Sequence, residues 1–93
     1  MRLDWSEAAL HDLARIHDFL APEAPDAAAR MMQGLVSAAE NLLQIPRIGE
    51  LLDAYAPREV RALMLVDARY EMRYEVQPER VIIVRIWSTR EHR

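Results

Sequence analysis

The sequence contains no cysteine and no lysine. Without cysteine there is no disulfide framework and no thiol nucleophile. Without lysine, all 12 basic residues are arginine, a rigid planar fork suited to carboxylate or phosphate where lysine offers a point charge. Compositional bias explains this most simply, and a recognition role stays open beside it. The three histidines, His11, His17 and His92, are isolated from one another, so neither a metal site nor a cofactor is expected. No apolar run approaches the roughly 20 residues that cross a bilayer, and the opening MRLDWSEAAL carries acid too early for a secretion signal. We therefore expect a cytoplasmic protein without membrane contact. Internal repeats, low-complexity tracts and linkers are also missing, which leaves residues 1–93 as one domain.

What is present is globular in composition, with 52% hydrophobic and 29% charged residues. A chain of this size buries only roughly 60–65% of its unfolded surface, so marginal stability or stabilisation by a partner is expected. The net charge of −3 is unevenly spread. Residues 1–57 hold four Arg against nine Asp and Glu, net −5, whereas residues 58–93 hold eight Arg against six acids, net +2.

The stretch from Tyr70 to Arg93 organises the rest. Tyr70, Met72, Tyr74 and Val76 alternate with Glu71, Arg73, Glu75 and Gln77, as in a half-buried strand. After the turn at Gln77-Pro78-Glu79, Val81 to Trp87 is apolar on both faces and reads as a central strand. At the other end, Arg2 to Trp5 is a short strand with Leu3 and Trp5 on one face. Ser6 then caps a helix running to about Leu20, with Ala9, Leu13, Ile16 and Leu20 as its apolar stripe. On this reading His11, Asp12, Arg15 and Asp18 point outward, and His17 at the stripe edge is either a ligand or base or semi-buried packing. Prolines at 22 and 25 break the pattern, and a second helix runs from Pro25 or Asp26 to about Gln44. Its wide apolar arc predicts a position between the first helix and a sheet, with Gly34 permitting close approach. Pro46 to Pro57 reads as a turn and loop, and Arg58 to Val66 as a strand joined to Tyr70 through Asp67-Ala68-Arg69. An exposed Leu63 or Leu65 there would mark a partner surface, and cover by a loop is the simpler alternative. The fold class is α+β in the order β-α-α-β-β-β: a strand, a helical hairpin packed on one face of the sheet, and a three-stranded antiparallel meander.

The order of elements and five fragments carry a family resemblance: Trp5 before Glu7-Ala8-Ala9 and Asp12-Leu13; Pro46-Arg47-Ile48-Gly49; Arg58-Glu59-Val60-Arg61; Tyr70, Met72, Tyr74 and Val76; and Val84-Arg85-Ile86-Trp87 running on through Ser88-Thr89-Arg90-Glu91. Across its whole length the chain resembles the RelE/ParE toxin superfamily. The resemblance implies a type II toxin held inactive by a cognate antitoxin. Within the superfamily, RelE-like members cut messenger RNA on the ribosome and ParE-like members act against DNA gyrase.

The residues favour the second branch. Cutting RNA needs a base, an acid and donors for the phosphorane, and binding ribosomal RNA calls for a strongly basic surface. This chain is net acidic. Where the ribonuclease branch typically has an arginine four residues before the tyrosine matching Tyr70, this sequence has Val66, and it stops at Glu91-His92-Arg93 where that branch tends to carry a further tyrosine. The resemblance then implies binding to gyrase rather than catalysis, with target contact expected at Arg58, Arg61, Trp87, Arg90 and Arg93. A ribonuclease would instead assemble a site from Arg58, Arg61, Arg90 and His92, and a third alternative is an interaction module that acts only with the antitoxin. No sequence-specific nucleic-acid binding by this chain is expected. The antitoxin segment would lie along the helical hairpin and adjoining sheet, and the acidic outer face of the helices suggests arginine or lysine in that partner.

Overall fold

The computed structural model describes residues 1–66 and 69–90. The expected Asp67-Ala68 turn, His92 and Arg93 lie outside the described residues. The elements are β1 (Arg2–Trp5), α1 (Glu7–Leu20), α2 (Pro25–Asn41), β2 (Glu50–Leu51), β3 (Glu59–Leu65), β4 (Tyr70–Val76) and β5 (Arg80–Ser88), with a 3₁₀ turn at Asp53–Tyr55. They form one five-stranded sheet in the order β1-β5-β4-β3-β2. β3, β4 and β5 make the expected antiparallel meander, and β1 pairs parallel with β5.

Local chemistry accounts for the boundaries. The Ser6 hydroxyl accepts the Ala9 N–H at 3.0 Å, satisfying an orphan donor at the start of α1. Pro25 occupies the first turn of α2, where its missing N–H costs nothing. After Asn41 the chain tightens to i→i−3 bonds, Leu43 N–H to Glu40 and Gln44 N–H to Asn41, because Pro46 bars continuation of the helix.

The core lies between the helices and one face of the sheet, where Ala9, Ile16, Leu35 and Ala39 meet Met72, Tyr74, Ile83 and Ile86. Leu3, Trp5, Leu63 and Leu65 pack against it. Leu63 and Leu65 are thus core-facing, and Met64, on the other face, is exposed, as is Val66 just beyond the strand.

Three expectations are corrected. The helix in closest backbone contact with the sheet is α1, against β5, while α2 packs on α1 and reaches the core through Leu35 and Ala39. Gly34 does not mediate a close approach, since an added Cβ would meet nothing within 4 Å. Glu50-Leu51, expected as loop, is a strand on the β3 edge, paired opposite Ala62 and Arg61. Two residues carry no alternation, so only the tertiary pairing makes this strand.

A register shift in the β4–β5 ladder, where Arg73 faces Arg85 and Tyr74 faces Ile83, leaves Val84 as the extra residue. Val81, Ile83 and Ile86 therefore all point to the core, while Arg85 and Trp87 turn to the open face away from the helices. This bulge explains why the β5 sequence looks apolar on both sides.

Candidate functional site

β1 stops at Trp5, opposite Ile83, so the rest of β5 has no strand on that edge, its other edge being paired with β4. Helix α1 fills the gap with side chains. The Ser6 hydroxyl donates to the Val84 carbonyl at 2.8 Å, and the Asp12 carboxylate accepts the Ile86 N–H at 2.8 Å. Asp12 also accepts from Arg85 at 2.8 and 3.1 Å and from Arg15 at 3.1 Å. Expected on the outer face, it is only 3% exposed. Burial alone would raise its pKa, but the bonds from Arg85, Ile86 and Arg15 outweigh it and hold the group below the usual carboxylate range. The signal was in the spacing: Ala9, Asp12 and Ile16, at steps of three and four, are the buried residues of α1.

On the open face, arginines and aromatics interleave. Arg58 lies 6.0 Å and Arg73 5.8 Å from the Tyr55 ring, and Arg73 and Arg85 cover Trp87 at 4.8 and 5.3 Å. Each cation has a carboxylate, Arg58 with Glu75, Arg73 with Glu71 and Arg85 with Asp12. The bond from Arg58 holds Glu75 below the usual carboxylate range. These acids serve as salt-bridge partners on that face. Tyr55 was not singled out by sequence, because the turn that carries it over the sheet has no periodic pattern.

The expected contact residues do not form one cluster. Arg58 and Trp87 share the open face, linked by Tyr55 and Arg73, with Trp87 only 6% exposed beneath its arginines. Arg61, opposite Tyr74, points to the helix side and donates to the Gly49 carbonyl at 2.8 Å and to Glu59 at 2.8 Å. It secures the turn that Tyr74 also grips, the Tyr74 hydroxyl donating to Pro46 at 2.7 Å and accepting the Gly49 N–H at 2.9 Å. Arg90 stands apart, at the mouth of a groove.

That groove, about 600 Å³, runs between α1, the start of α2 and the ends of β4 and β5. Ile16, Leu20, Met31 and Tyr70 line it, and Phe19, 83% exposed, stands at its lip. A second hollow of about 430 Å³ continues it along α2 to Gly34 and Leu65, the two sharing Met31 and Val66 as walls. Val66 holds φ at 53°, a left-handed conformation that is costly for a β-branched residue, and its side chain is exposed.

Ion pairing elsewhere is thorough. Arg2 and Arg80 share Asp4, Arg15 and Arg85 share Asp12, and Arg47 and Arg61 share Glu59. With Arg58 and Arg73 also paired, Arg30, Arg69 and Arg90 are the arginines without a carboxylate among the described residues. No group of three or more metal-ligating side chains occurs among them, and no helix is long and apolar enough to cross a membrane.

This architecture can be set beside known proteins. The family model for the ParE toxin of type II toxin–antitoxin systems, parDE, matches residues 3–93. The chain belongs to the ParE toxin family. Among curated relatives, this ParE-family toxin is 39% identical over 82 residues to Toxin RelE2 of Caulobacter vibrioides, covering 88% of each chain. Among solved structures it is similar to the chromosomal ParDE toxin–antitoxin system from P. aeruginosa, with a TM-score of 0.78, 27% identity and 95% of each chain covered.

Proposed function

We propose that this toxin acts by binding DNA gyrase and stopping its cycle, and that a cognate antitoxin neutralises it. The action would take place in the cytoplasm and would need no cofactor. The observation that carries this reading is the self-neutralised open face: Arg58, Arg73 and Arg85 are each matched to a carboxylate. A ribonuclease would need cations converging on a phosphate and a free base beside them. A stacked, ion-paired sheet face is suited instead to a rigid protein contact, in which aromatic and arginine residues supply most of the energy. We place target contact on Arg58 and the arginine-covered Trp87, extending to Arg90 and to Arg93 beyond the described residues. Arg61 serves this surface only indirectly, by holding the Pro46–Gly49 turn.

Regulated expression without the antitoxin tests the reading. Growth arrest with filamentation and DNA-damage signalling is the expected result. An immediate stop in translation would assign the protein to messenger-RNA cleavage, and normal growth at full expression would leave it as an interaction module.

A further inference from the structure

The ion pairs on the open face are neutral in sum but layered. Arg58 and Arg85 keep 56% and 46% of their side chains exposed, whereas their partners Glu75 and Asp12 keep 12% and 5%. Arg73 and Glu71 show the same order, at 22% against 10%. Each acid thus stands behind its arginine, and the charge nearest to solvent is positive. Arg73 and Arg85 are also direct cross-strand partners, an arrangement of like charges that costs stability in a sheet. Tyr55 continues the row, with Arg58 and Arg73 at 6.0 and 5.8 Å from its ring. Arg58 spends Nε and Nη2 on a single oxygen of Glu75, so its Nη1 keeps two donors with no partner among the described residues. Met64, exposed on the same face opposite Glu71, adds apolar surface beside the cations.

We propose that this row receives an acidic segment of the target enzyme, its carboxylates meeting the outward edges of Arg58, Arg73 and Arg85 while an apolar neighbour in the same segment rests on Tyr55 and Met64. The inference rests on the gyrase reading and adds the chemistry of the surface that the toxin contacts. It brings Tyr55, Met64, Arg73 and Arg85 into a contact that sequence alone had limited to Arg58, Arg61, Trp87, Arg90 and Arg93. The acids behind the row hold the guanidinium forks in place before binding, so little side-chain entropy is lost when a second carboxylate arrives. Stacking on Tyr55 and Trp87 fixes the same planes. Nucleic acid is the less suited anion. The chain carries a net charge of −3, so a polyanion is repelled at long range, whereas a folded partner needs only a local acidic patch.

The test is the affinity of the purified toxin for purified gyrase, measured by calorimetry at two salt concentrations. The decisive variant exchanges the charges of one pair, Arg58→Glu with Glu75→Arg, which keeps an ion pair but turns its negative end outward. Binding should weaken by about a hundredfold while the melting temperature stays near that of the wild type. Arg58→Gln, which only removes the outward cation, should weaken binding by about tenfold and flatten its salt dependence. Should the exchanged protein misfold by circular dichroism, Arg58→Gln supplies the answer. Arg30→Glu, on α2 and so on the other side of the sheet, should leave affinity within about twofold. Full gyrase binding by the open-face variants would overturn the proposal, as would finding that they lose instead binding to a single-stranded RNA oligonucleotide. A folded wild type that binds its antitoxin but not gyrase would remove the gyrase reading, and this inference with it; gyrase binding by the wild type with indifferent variants would remove this inference alone.

Discussion

The Asp12 carboxylate accepts the Ile86 N–H at 2.8 Å, so a side chain of α1 completes the hydrogen bonding of β5 where β1 ends. An open strand edge is a template for unwanted pairing, and covering it with helix side chains blunts that risk. The same carboxylate holds Arg85 over Trp87. One residue therefore joins the helical layer to the open face of the sheet.

Asp12→Ala should lower stability in urea unfolding by about 3 kcal/mol, because it strands a buried N–H and removes the carboxylate that two arginines share. Asp18→Ala, at an exposed position on the same helix, should change it by less than about 0.5 kcal/mol. Equal effects would show that the edge contact is not what Asp12 contributes.

Acid should unfold the protein through its paired carboxylates. Glu75 and Glu59 are lowered mainly by bonds from Arg58 and Arg61, and Asp12 is lowered despite its burial. With folded pKa values below the unfolded ones, the unfolded chain binds more protons as pH falls. Stability should be fully present above about pH 5 and lost as pH falls through the folded-state values. Melting temperatures between neutral pH and pH 3 check this, and Asp12→Asn should flatten the fall.

The two glycines should respond oppositely. A Cβ at Gly49 would sit 2.7 Å from the Tyr74 hydroxyl and 2.8 Å from the Ala62 carbonyl, so Gly49→Ala should destabilise by about 2 kcal/mol. Gly34→Ala places its methyl in open space within a helix and should stabilise by about 0.5–1 kcal/mol. Thermal melts of the two variants decide it. Because Gly34 borders the groove, antitoxin affinity should be followed alongside.

Arg58→Ala should separate the two surfaces. It lies on the open face, away from the groove, so growth inhibition should fall at least about tenfold while antitoxin affinity changes by less than about twofold. Parallel loss of both, with a lowered melting temperature, would mean that its pairing with Glu75 matters only for folding.

Much of the fold was legible in the sequence because local rules and tertiary structure agree there. Ser6 caps α1 where its side chain predicts, Pro25 opens α2, and the alternation from Tyr70 to Val76 is an actual strand. The misses have one cause in common, dependence on a distant partner. Asp12 is buried only because β5 has an unfilled edge, and β2 exists only because β3 has one. Arg61 is engaged by Gly49 and Glu59, and its facing follows from a register that composition does not disclose.

The most direct measurement is DNA supercoiling by purified gyrase, titrated with this protein alone and then with its antitoxin. The account predicts dose-dependent loss of supercoiling with trapped, cleaved plasmid, reversed by antitoxin at stoichiometric amounts. Undiminished supercoiling with micromolar protein that is folded and binds its antitoxin would contradict gyrase as the target.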